Sequence, residues 1–300
     1  MNKIKLFLVH QFLANARKKV RKKAPWVGKQ FWVTRTGKKP VETFLYEPKE
    51  KLYHPMPVMF NIHGGAWVGS DATGLDEQSQ KMADTLSAFV VNINYKKVDE
   101  EPFPYCQQEV ADVVRYFYEH AEQYGVDKEK FNLIGYSAGG HICAGAAILL
   151  KDAGIKLCSN IPTYPFLDFT SFEKGATLGL DDKTLKLMND VFFRGNIDIR
   201  SAVMSPGIAS AEDLKGLSDT YIILCGPDEL YQQGLDYQKC LQQAGVNVEV
   251  KVFEPSKHGF MEGDYSEIKT ENDAIQKEQM EQCFLYLKDI MHRMWNAGRR

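Results

Sequence analysis

The sequence predicts a single α/β domain, with a mostly parallel sheet of eight strands covered by helices on both faces. Short apolar runs alternate along the chain with longer amphipathic segments, and no repeat or low-complexity linker divides them. Crossover helices between parallel strands cover the faces of the sheet, so this alternation is typical of such a fold. With 300 residues, of which 44% are hydrophobic, the chain is large enough to fill one such core.

Eight strands are predicted where short runs are rich in Val, Ile and Phe, as strands buried on both faces should be. Their ranges are 31–36, 41–46, 57–63, 88–95, 131–135, 156–161, 220–225 and 248–253. The first two are joined by Gly37-Lys38-Lys39-Pro40 and should therefore form an antiparallel hairpin at one edge of the sheet.

Five helices are predicted between or after these strands, from apolar residues at helical spacing. Their ranges are 76–87, 104–124, 138–151, 230–244 and 271–293. Gly125 and Gly245 follow two of them, at the position where a left-handed residue commonly ends a helix.

One segment breaks the alternation, because about sixty residues separate the strand that ends near Ile161 from the strand that begins at Tyr221. The segment contains a further helix candidate, 181–194. We interpret residues 165–210 as a cap insertion that stands over one end of the sheet.

Residues 1–30 are predicted to form a separate basic cap before the main domain, residues 31–300. The first 41 residues contain twelve Lys and Arg and no Asp or Glu, although the net charge of the whole chain is −2. The main domain is therefore acidic. An acidic surface argues against nucleic-acid binding, because neutralising phosphates requires a basic one.

The basic segment also carries an apolar stripe at helical spacing. Its members are Val9, Phe12, Leu13, Ala16 and Val20. Three interpretations are open: a lid whose stripe packs on the protein, a helix in weak contact with an anionic membrane surface, and a signal peptide. The apolar run of a signal peptide would be interrupted here by His10-Gln11. We favour the lid over the membrane contact.

The six cysteines are scattered without a Cys-x-x-Cys pair, which is typical of free thiols in a reducing compartment, so a cytoplasmic location is predicted. No apolar stretch approaches the roughly 20 residues that a membrane-spanning helix needs. The sequence also lacks the His-Glu-x-x-His and Gly-x-x-x-x-Gly-Lys motifs, and neither a metal nor an organic cofactor is predicted.

The stretch Gly135-Tyr136-Ser137-Ala138-Gly139 follows a strand candidate and precedes a helix candidate. The Gly-x-Ser-x-Gly pattern at such a junction is typical of a nucleophile elbow, in which a strained turn exposes the serine side chain. A small-residue turn without chemistry would give the same pattern. The surrounding motifs therefore decide between the two interpretations.

A second glycine-rich stretch, His63-Gly64-Gly65, closes the strand predicted at 57–63. Consecutive glycines allow a substrate carbonyl group to approach the backbone closely, because no Cβ intervenes. The N–H groups of Gly64 and Gly65, together with that of Ala138 at the start of a helix, would form a three-donor oxyanion hole. A nucleophile and such a hole together indicate acyl transfer.

A serine nucleophile needs a base that accepts its proton and an acid that orients the base. Of the seven histidines, His258 lies just beyond the last strand, where it can meet the elbow. Asp228 follows the preceding strand and is the candidate acid, with Glu229 as its rival. The chain order Ser137, Asp228, His258 is the order found in α/β-hydrolases.

Taken together, the motifs resemble those of the hormone-sensitive-lipase-like esterases of the α/β-hydrolase superfamily, over about residues 55–262. The matching stretches are HGGAW (63–67), NYKKVDEEPFPY (94–105), GYSAGG (135–140), GPDEL (226–230) and HGF (258–260). The resemblance implies a catalytic triad, an oxyanion hole, and a cap built from the N-terminus and a later insertion. The triad and the hole would consist of the residues already singled out: Ser137, Asp228 and His258, and Gly64, Gly65 and Ala138.

Three residues depart from the family pattern: Ala66 replaces a third glycine, Tyr136 an aspartate, and Glu229 a proline. None of them removes a catalytic group, although Ala66 and Tyr136 should touch the pocket wall. Trp67 and Phe260 lie beside catalytic loops, where each would either line the pocket or belong to the core.

We therefore predict a serine esterase that cleaves short-chain, acetyl-like esters of a small-molecule substrate through an acyl-enzyme, as a monomer or a homodimer. The sequence does not distinguish this activity from the removal of acetyl groups from carbohydrates or other small molecules. A lipase or deacetylase that acts at a membrane surface is a variant of the same hypothesis. The competing hypothesis is a non-catalytic small-molecule-binding protein on the same fold. Such a protein would be expected to have lost its base or nucleophile, whereas Ser137 and His258 are both in place.

Overall fold

The computed structural model describes residues 3–174, 182–262 and 274–296, and eight strands within them form one sheet. The strands are β1 (Lys29–Arg35), β2 (Lys38–Tyr46), β3 (Met56–Ile62), β4 (Phe89–Asn94), β5 (Val126–Tyr136), β6 (Ser159–Thr163), β7 (Asp219–Cys225) and β8 (Val248–Phe253). The eight predicted strands are confirmed. The largest difference is at β5, which begins at Val126 instead of Phe131.

The sheet has the strand order β1-β2-β4-β3-β5-β6-β7-β8. β2 runs antiparallel to both of its neighbours and the other pairs are parallel, which confirms the predicted hairpin and the mostly parallel sheet. The order reverses after β4, because β4 lies on one side of β3 and β5 lies on the other. In open α/β sheets, ligands bind at such a switch point, beyond the carboxyl ends of the strands. A site is therefore expected where β3 and β5 end.

The α-helices of the described ranges are α1 (Lys3–Val20), α2 (Asp76–Leu86), α3 (Tyr105–Glu119), α4 (Ala121–Tyr124), α5 (Ala138–Asp152), α6 (Asp182–Phe192), α7 (Ala211–Leu214), α8 (Tyr231–Gln243) and α9 (Ala274–Asn296). None of them is long and apolar enough to cross a membrane. α3 packs against α5, and α2 packs against α9. Residue 181 and residues 271–273, with which two predicted helices begin, lie outside the described residues.

The helix predicted at 104–124 is divided in two. At His120 the backbone leaves the helical region, and the imidazole Nδ1 bonds to the Tyr116 carbonyl oxygen (2.7 Å), so α3 ends one residue earlier. Gly125 and Gly245 have positive φ angles of 63° and 71°. Both glycines thus take the left-handed conformation expected of them.

The N-terminal helix α1 and the residue just after it are held against the rest of the protein by polar contacts. Arg17 forms a bidentate pair with Asp99 (2.8 and 2.9 Å), and the His10 ring meets the same carboxylate (2.8 Å). Arg21, just after the helix, pairs with Glu42 of β2 (2.6 Å). Charge-assisted and bidentate contacts of this kind fix orientation as well as position.

The apolar stripe predicted on α1 is only partly correct. Val9, Leu13 and Val20 are half-buried, but Phe12 is 74% exposed and Ala16 is exposed as well. The side of the helix that faces the protein is set by its polar contacts to Asp99, and these turn Phe12 outward. The outer side instead carries an exposed apolar row, made of Ile4, Phe7, Leu8 and Phe12.

Candidate active site

Ser137 occupies the sharp turn between β5 and α5. Its φ angle is +53°, which is unfavourable for a residue with a Cβ, and its N–H donates to the Thr163 carbonyl oxygen at the end of β6 (2.9 Å). The flanking glycines are required by packing. A Cβ at Gly135 would collide with the backbone of Gly139, and a Cβ at Gly139 would collide with the backbone of Ile62. The geometry is that of a nucleophile elbow at the carboxyl edge of the sheet.

The Ser137 hydroxyl is in contact with an imidazole, which in turn contacts a carboxylate. The His258 Nε2 atom lies 2.8 Å from Ser137 Oγ, and the Nδ1 atom lies 2.7 Å from Asp228 Oδ2. A carboxylate only accepts hydrogen bonds, so Nδ1 carries the ring proton and Nε2 accepts the hydroxyl proton. The Asp228 side chain is 5% exposed and the His258 side chain 40% exposed, so the acid is shielded and the base is accessible.

Asp228 makes the contact with His258, whereas its neighbour Glu229 is exposed at the mouth of the site. The second carboxylate oxygen of Asp228 accepts the N–H of Leu230 (2.9 Å), which fixes its orientation. The structure therefore brings Ser137, Asp228 and His258 together as predicted and separates the two rival acids.

The loop that follows β3 is anchored by the peptide groups on both sides of Gly64. The Gly64 N–H points into the protein and donates to the buried carboxylate of Glu262 (2.9 Å). The Gly64 carbonyl oxygen also points inward, to His63 Nδ1 (2.7 Å) and the Tyr95 hydroxyl (3.2 Å). In a trans peptide the N–H and C=O groups point in opposite directions. The Gly65 N–H, which shares a peptide plane with the Gly64 carbonyl, is therefore directed away from these anchors.

The next peptide group is fixed in the same way. The Gly65 carbonyl oxygen accepts the N–H groups of Val68 (3.2 Å) and Gly69 (2.7 Å), so the Ala66 N–H is directed away from that turn. Ala66 borders the pocket beside Ser137, as expected, and holds a positive φ of 49°. The family glycine at this position would adopt that angle without strain.

The structure differs from the prediction at Gly64. Its N–H is bonded to Glu262 beneath the loop, so it does not face the pocket. The donors consistent with the geometry are those of Gly65, Ala66 and Ala138, the last of which opens α5. A run of small residues does not show which peptide group faces the substrate. For that reason the motif assigned a donor to Gly64 instead of Ala66.

A pocket of about 290 Å³ opens beside the Ser137 hydroxyl. It is lined by Ala66, Trp67, Ser137, Ala138, Phe166, Pro227, Asp228, Glu229, Leu230 and His258. Apart from the triad and Glu229 these residues are apolar, which suits an apolar group beside one polar reacting bond. No residue of α1 is in this lining, and no cluster within the described ranges offers three or more His, Cys, Asp or Glu side chains to a metal.

Trp67 takes both of the roles predicted for it, because it borders the pocket and its side chain is almost fully buried in the core. Its ring packs on Phe166 and Phe169 (centroids 5.2 and 5.1 Å apart), and its indole N–H donates to His141 Nδ1 (3.0 Å). Burial lowers the pKa of His141 to about 4, so the ring is neutral. Its Nε2–H donates to the Met204 carbonyl oxygen (2.9 Å), and the tryptophan is thereby locked in place.

Tyr136 and Phe260 are core residues and are absent from the pocket lining. This is contrary to the prediction that Tyr136 touches the pocket wall, and for Phe260 it selects the core from the two predicted roles. The Tyr136 side chain is fully buried and its hydroxyl accepts a hydrogen bond from Gln78 of α2 (2.6 Å). Phe260 is 2% exposed and packs on Phe253 at the end of β8. Tyr136 immediately precedes the elbow, yet as the last residue of β5 it points to the face of the sheet that α2 covers.

Sequence reasoning missed three pocket residues, Phe166, Pro227 and Leu230. Pro227 and Leu230 lie within two positions of Asp228, and this proximity is a signal that would have found them. Phe166 has no such signal, because it lies at the start of the predicted insertion, far in the chain from any catalytic motif.

Comparison with known proteins agrees with this architecture. The sequence profile of the alpha/beta hydrolase fold matches residues 59–262. The arylesterase of Saccharolobus solfataricus is 28% identical over 67% of this chain and 69% of its own length. The arylacetamide deacetylase of Oryctolagus cuniculus is 29% identical over 79% of this chain and 76% of its own length. A thermostable esterase from Pseudomonas putida shares the fold, with a TM-score of 0.75 at 22% identity over 95% of this chain and 89% of its own.

The sheet topology and the matching profile define the protein as an α/β-hydrolase. Within that superfamily the chain belongs to the hormone-sensitive-lipase-like esterase family. It is a carboxylester hydrolase of the serine type. The resemblance drawn from the motifs is thereby confirmed.

Proposed function

We propose that the chain hydrolyses short-chain acyl esters through a covalent acyl-enzyme on Ser137. The observation that carries the proposal is the unbroken contact from Ser137 Oγ through His258 to Asp228 (2.8 and 2.7 Å). His258 Nε2 accepts the hydroxyl proton as Oγ attacks the ester carbonyl carbon, and then gives that proton to the departing alkoxide. Water then gives a proton to the same nitrogen and attacks the acyl carbon. The acyl group leaves as the acid, and His258 returns the proton to Ser137 Oγ.

The oxyanion of each tetrahedral intermediate would be bound by the N–H groups of Gly65, Ala66 and Ala138. Their peptide groups are held by contacts outside the pocket, so they need no reorganisation when the negative charge develops. The N-terminus of α5 adds the positive end of its dipole to the same region. Loss of one such donor generally lowers kcat by about 10²- to 10³-fold.

The size and walls of the pocket support a short acyl group. Its volume is about 290 Å³, and Trp67 and Phe166 form rigid parts of its wall. The names of two relatives, arylesterase and arylacetamide deacetylase, make aromatic esters and amides the first compounds to test.

A series of 4-nitrophenyl esters from acetate to decanoate tests this specificity. We expect kcat/KM to be highest between acetate and butyrate and to fall by at least about tenfold at decanoate, because a pocket of about 290 Å³ has room for a short acyl group and the alcohol part but little room for a ten-carbon chain. Ser137→Ala, measured in parallel, removes the contribution of contaminating esterases. A rate that rises toward decanoate would contradict the short-acyl proposal and indicate a lipase.

The state of the cysteines supports the cytoplasm as the location of the protein. All six lie within the described residues as free thiols, and four of them are buried. Free buried thiols are usual in reducing compartments. Imaging of the tagged full chain in its own cell tests this location.

The outer face of α1 supports weak contact with an anionic lipid surface. Ile4, Phe7, Leu8 and Phe12 are 59–74% exposed and follow one another at helical spacing. The inner face of α1 is already bound to Asp99. Among the described residues, the exposed row on the outer face therefore has no partner against which to pack. Basic helices with such a row lie on anionic bilayers, and the first 41 residues carry twelve cationic side chains without an acid. Residues 1–30 would then be a fixed cap with a membrane-facing side.

Vesicle binding tests this contact. Changing Phe7 and Phe12 together to Ser should lower partitioning into phosphatidylserine-rich vesicles by at least about tenfold, because two aromatic side chains no longer enter the lipid. Binding of the unaltered chain should also fall steeply with salt. Leu285→Ser, at an equally exposed leucine of α9, is the matched control. Unchanged vesicle binding, or a homodimer that dissociates in the double variant, would contradict the lipid proposal.

A further inference from the structure

A buried carboxylate lies beneath the oxyanion loop, and the reaction steps above give it no role. Glu262 follows His258 by four residues, and its Oε1 atom accepts the Gly64 N–H (2.9 Å). Its Oε2 atom lies 3.4 Å from the Tyr164 hydroxyl. Burying a carboxyl group is unfavourable unless its oxygens are hydrogen-bonded, and an apolar side chain would fill the same space without that cost. The hydrogen bond to the loop is therefore what distinguishes Glu262 from an apolar residue at the same position.

The loop depends on outside contacts for its shape. Gly64 and Gly65 have wide backbone freedom, so their own conformational preferences do not orient the peptide groups that carry the donors. On one side, the Tyr95 hydroxyl donates to the His63 carbonyl oxygen (3.1 Å). On the other side of the same peptide group, the Gly64 N–H donates to Glu262. This peptide is thus held at both ends, and Glu262 provides one of the two contacts.

Glu262 lies so close to Gly64 that no side chain fits at this position of the loop. A Cβ at Gly64 would lie 2.9 Å from Glu262 Oε2 and 3.0 Å from the Tyr136 carbonyl oxygen. Both distances are shorter than ordinary van der Waals contact. The φ and ψ angles of Gly64 connect the peptide group that donates to Glu262 with the peptide group that carries the Gly65 N–H. A change in these angles that follows loss of the Glu262 contact would therefore also reorient the Gly65 N–H.

We infer that Glu262 is a positioning residue of the esterase reaction, which accepts the Gly64 N–H and thereby holds the donors of Gly65 and Ala66 toward the substrate oxygen. This inference rests on the oxyanion hole assigned under the proposed function. It requires an acceptor oxygen at the right distance and does not require a charge. Burial raises the pKa of the Glu262 carboxyl, and an oxygen of either the neutral or the ionised group accepts an N–H.

Three substitutions separate the acceptor from the charge. Glu262→Gln keeps an oxygen at the same reach without a charge, Glu262→Asp keeps the charge on a shorter chain, and Glu262→Leu keeps neither. We expect Glu262→Gln to remain within about threefold of the wild-type kcat for phenyl acetate, and the other two to lose about 10- to 100-fold, with KM nearly unchanged. Tyr164→Phe, which removes only the 3.4 Å contact, is the matched control and should resemble wild type.

A second readout reports on the hole itself. An alkyl trifluoromethyl ketone adds to the catalytic serine and places an oxyanion in the hole. Its inhibition constant should therefore weaken in parallel with kcat/KM for Glu262→Asp and Glu262→Leu. If Glu262→Leu fails to fold, the comparison of the Asp and Gln variants alone decides whether Glu262 positions the loop.

The inference is overturned if Glu262→Asp is as active as Glu262→Gln, if the Gln variant loses as much as the Asp variant, or if the losses appear in KM. Ser137→Ala separates this failure from that of the proposed function. An inactive Ser137→Ala beside fully active Glu262 variants would contradict only the role of Glu262. An active Ser137→Ala would contradict both.

Discussion

Replacing Ser137 with Ala is expected to lower kcat for phenyl acetate by about 10⁴- to 10⁶-fold. The variant keeps the pocket and the oxyanion hole but lacks the atom that attacks the carbonyl carbon. Substrate binding should therefore persist, and any residual rate would come from water attack assisted by the hole. Initial rates of phenol release measure the effect, with circular dichroism to verify that the variant is folded.

Phenyl acetate is the better substrate for this comparison because 4-nitrophenyl acetate is reactive enough to acylate ordinary surface amines. A folded Ser137→Ala protein that keeps more than about a tenth of the wild-type rate would show that another group is the nucleophile.

Replacing Asp228 with Asn is expected to lower kcat by about 10⁴-fold, the size of the effect in a serine protease triad. Asp228 Oδ2 accepts the Nδ1 proton of His258 at 2.7 Å, which leaves Nε2 free to accept the serine proton. An asparagine can donate to Nδ1 instead and would favour the tautomer with its proton on Nε2. That tautomer cannot act as the base for Ser137. Steady-state kinetics on the same ester measures the loss.

The neighbouring acid gives a matched control. Glu229→Gln changes the charge at the pocket mouth without touching His258, so its kcat should stay within about threefold of wild type. A large loss in Glu229→Gln together with a small loss in Asp228→Asn would reverse the assignment of the acid.

The contact among the three candidate catalytic residues could be predicted because of where they lie in the sheet. Ser137, Asp228 and His258 each come shortly after an apolar run, and the parallel strands β5, β7 and β8 end at one edge. Residues that are distant in sequence therefore converge without any need to know the side-chain packing. The chain order supplied the remaining information.

The donors of the proposed oxyanion hole could not be predicted in the same way. The direction of the Gly64 N–H is decided by Glu262, almost two hundred residues later in the chain, and no local pattern contains that contact. The motif identified the right loop, and the tertiary contact selects the peptide groups within it.

Side-chain direction explains the remaining differences. Tyr136 is next to Ser137 in sequence, but its side chain lies in the core on the α2 side of the sheet. Phe12 belongs to an apolar stripe by periodicity, but the ion pair of Arg17 with Asp99 sets the rotation of α1 and leaves that ring exposed. Periodicity predicts that a helix has an apolar side, whereas specific polar contacts decide which side faces the protein.

Mass spectrometry after reaction with diethyl 4-nitrophenyl phosphate is the direct test of whether Ser137 is an activated nucleophile. This compound phosphorylates an activated serine and releases 4-nitrophenol. We expect one diethylphosphoryl group per chain, on the peptide that contains Ser137, with esterase activity lost in proportion. A folded, active protein with no adduct, or with its adduct at another residue, would contradict the claim. Absence of both adduct and activity would favour the non-catalytic binding protein.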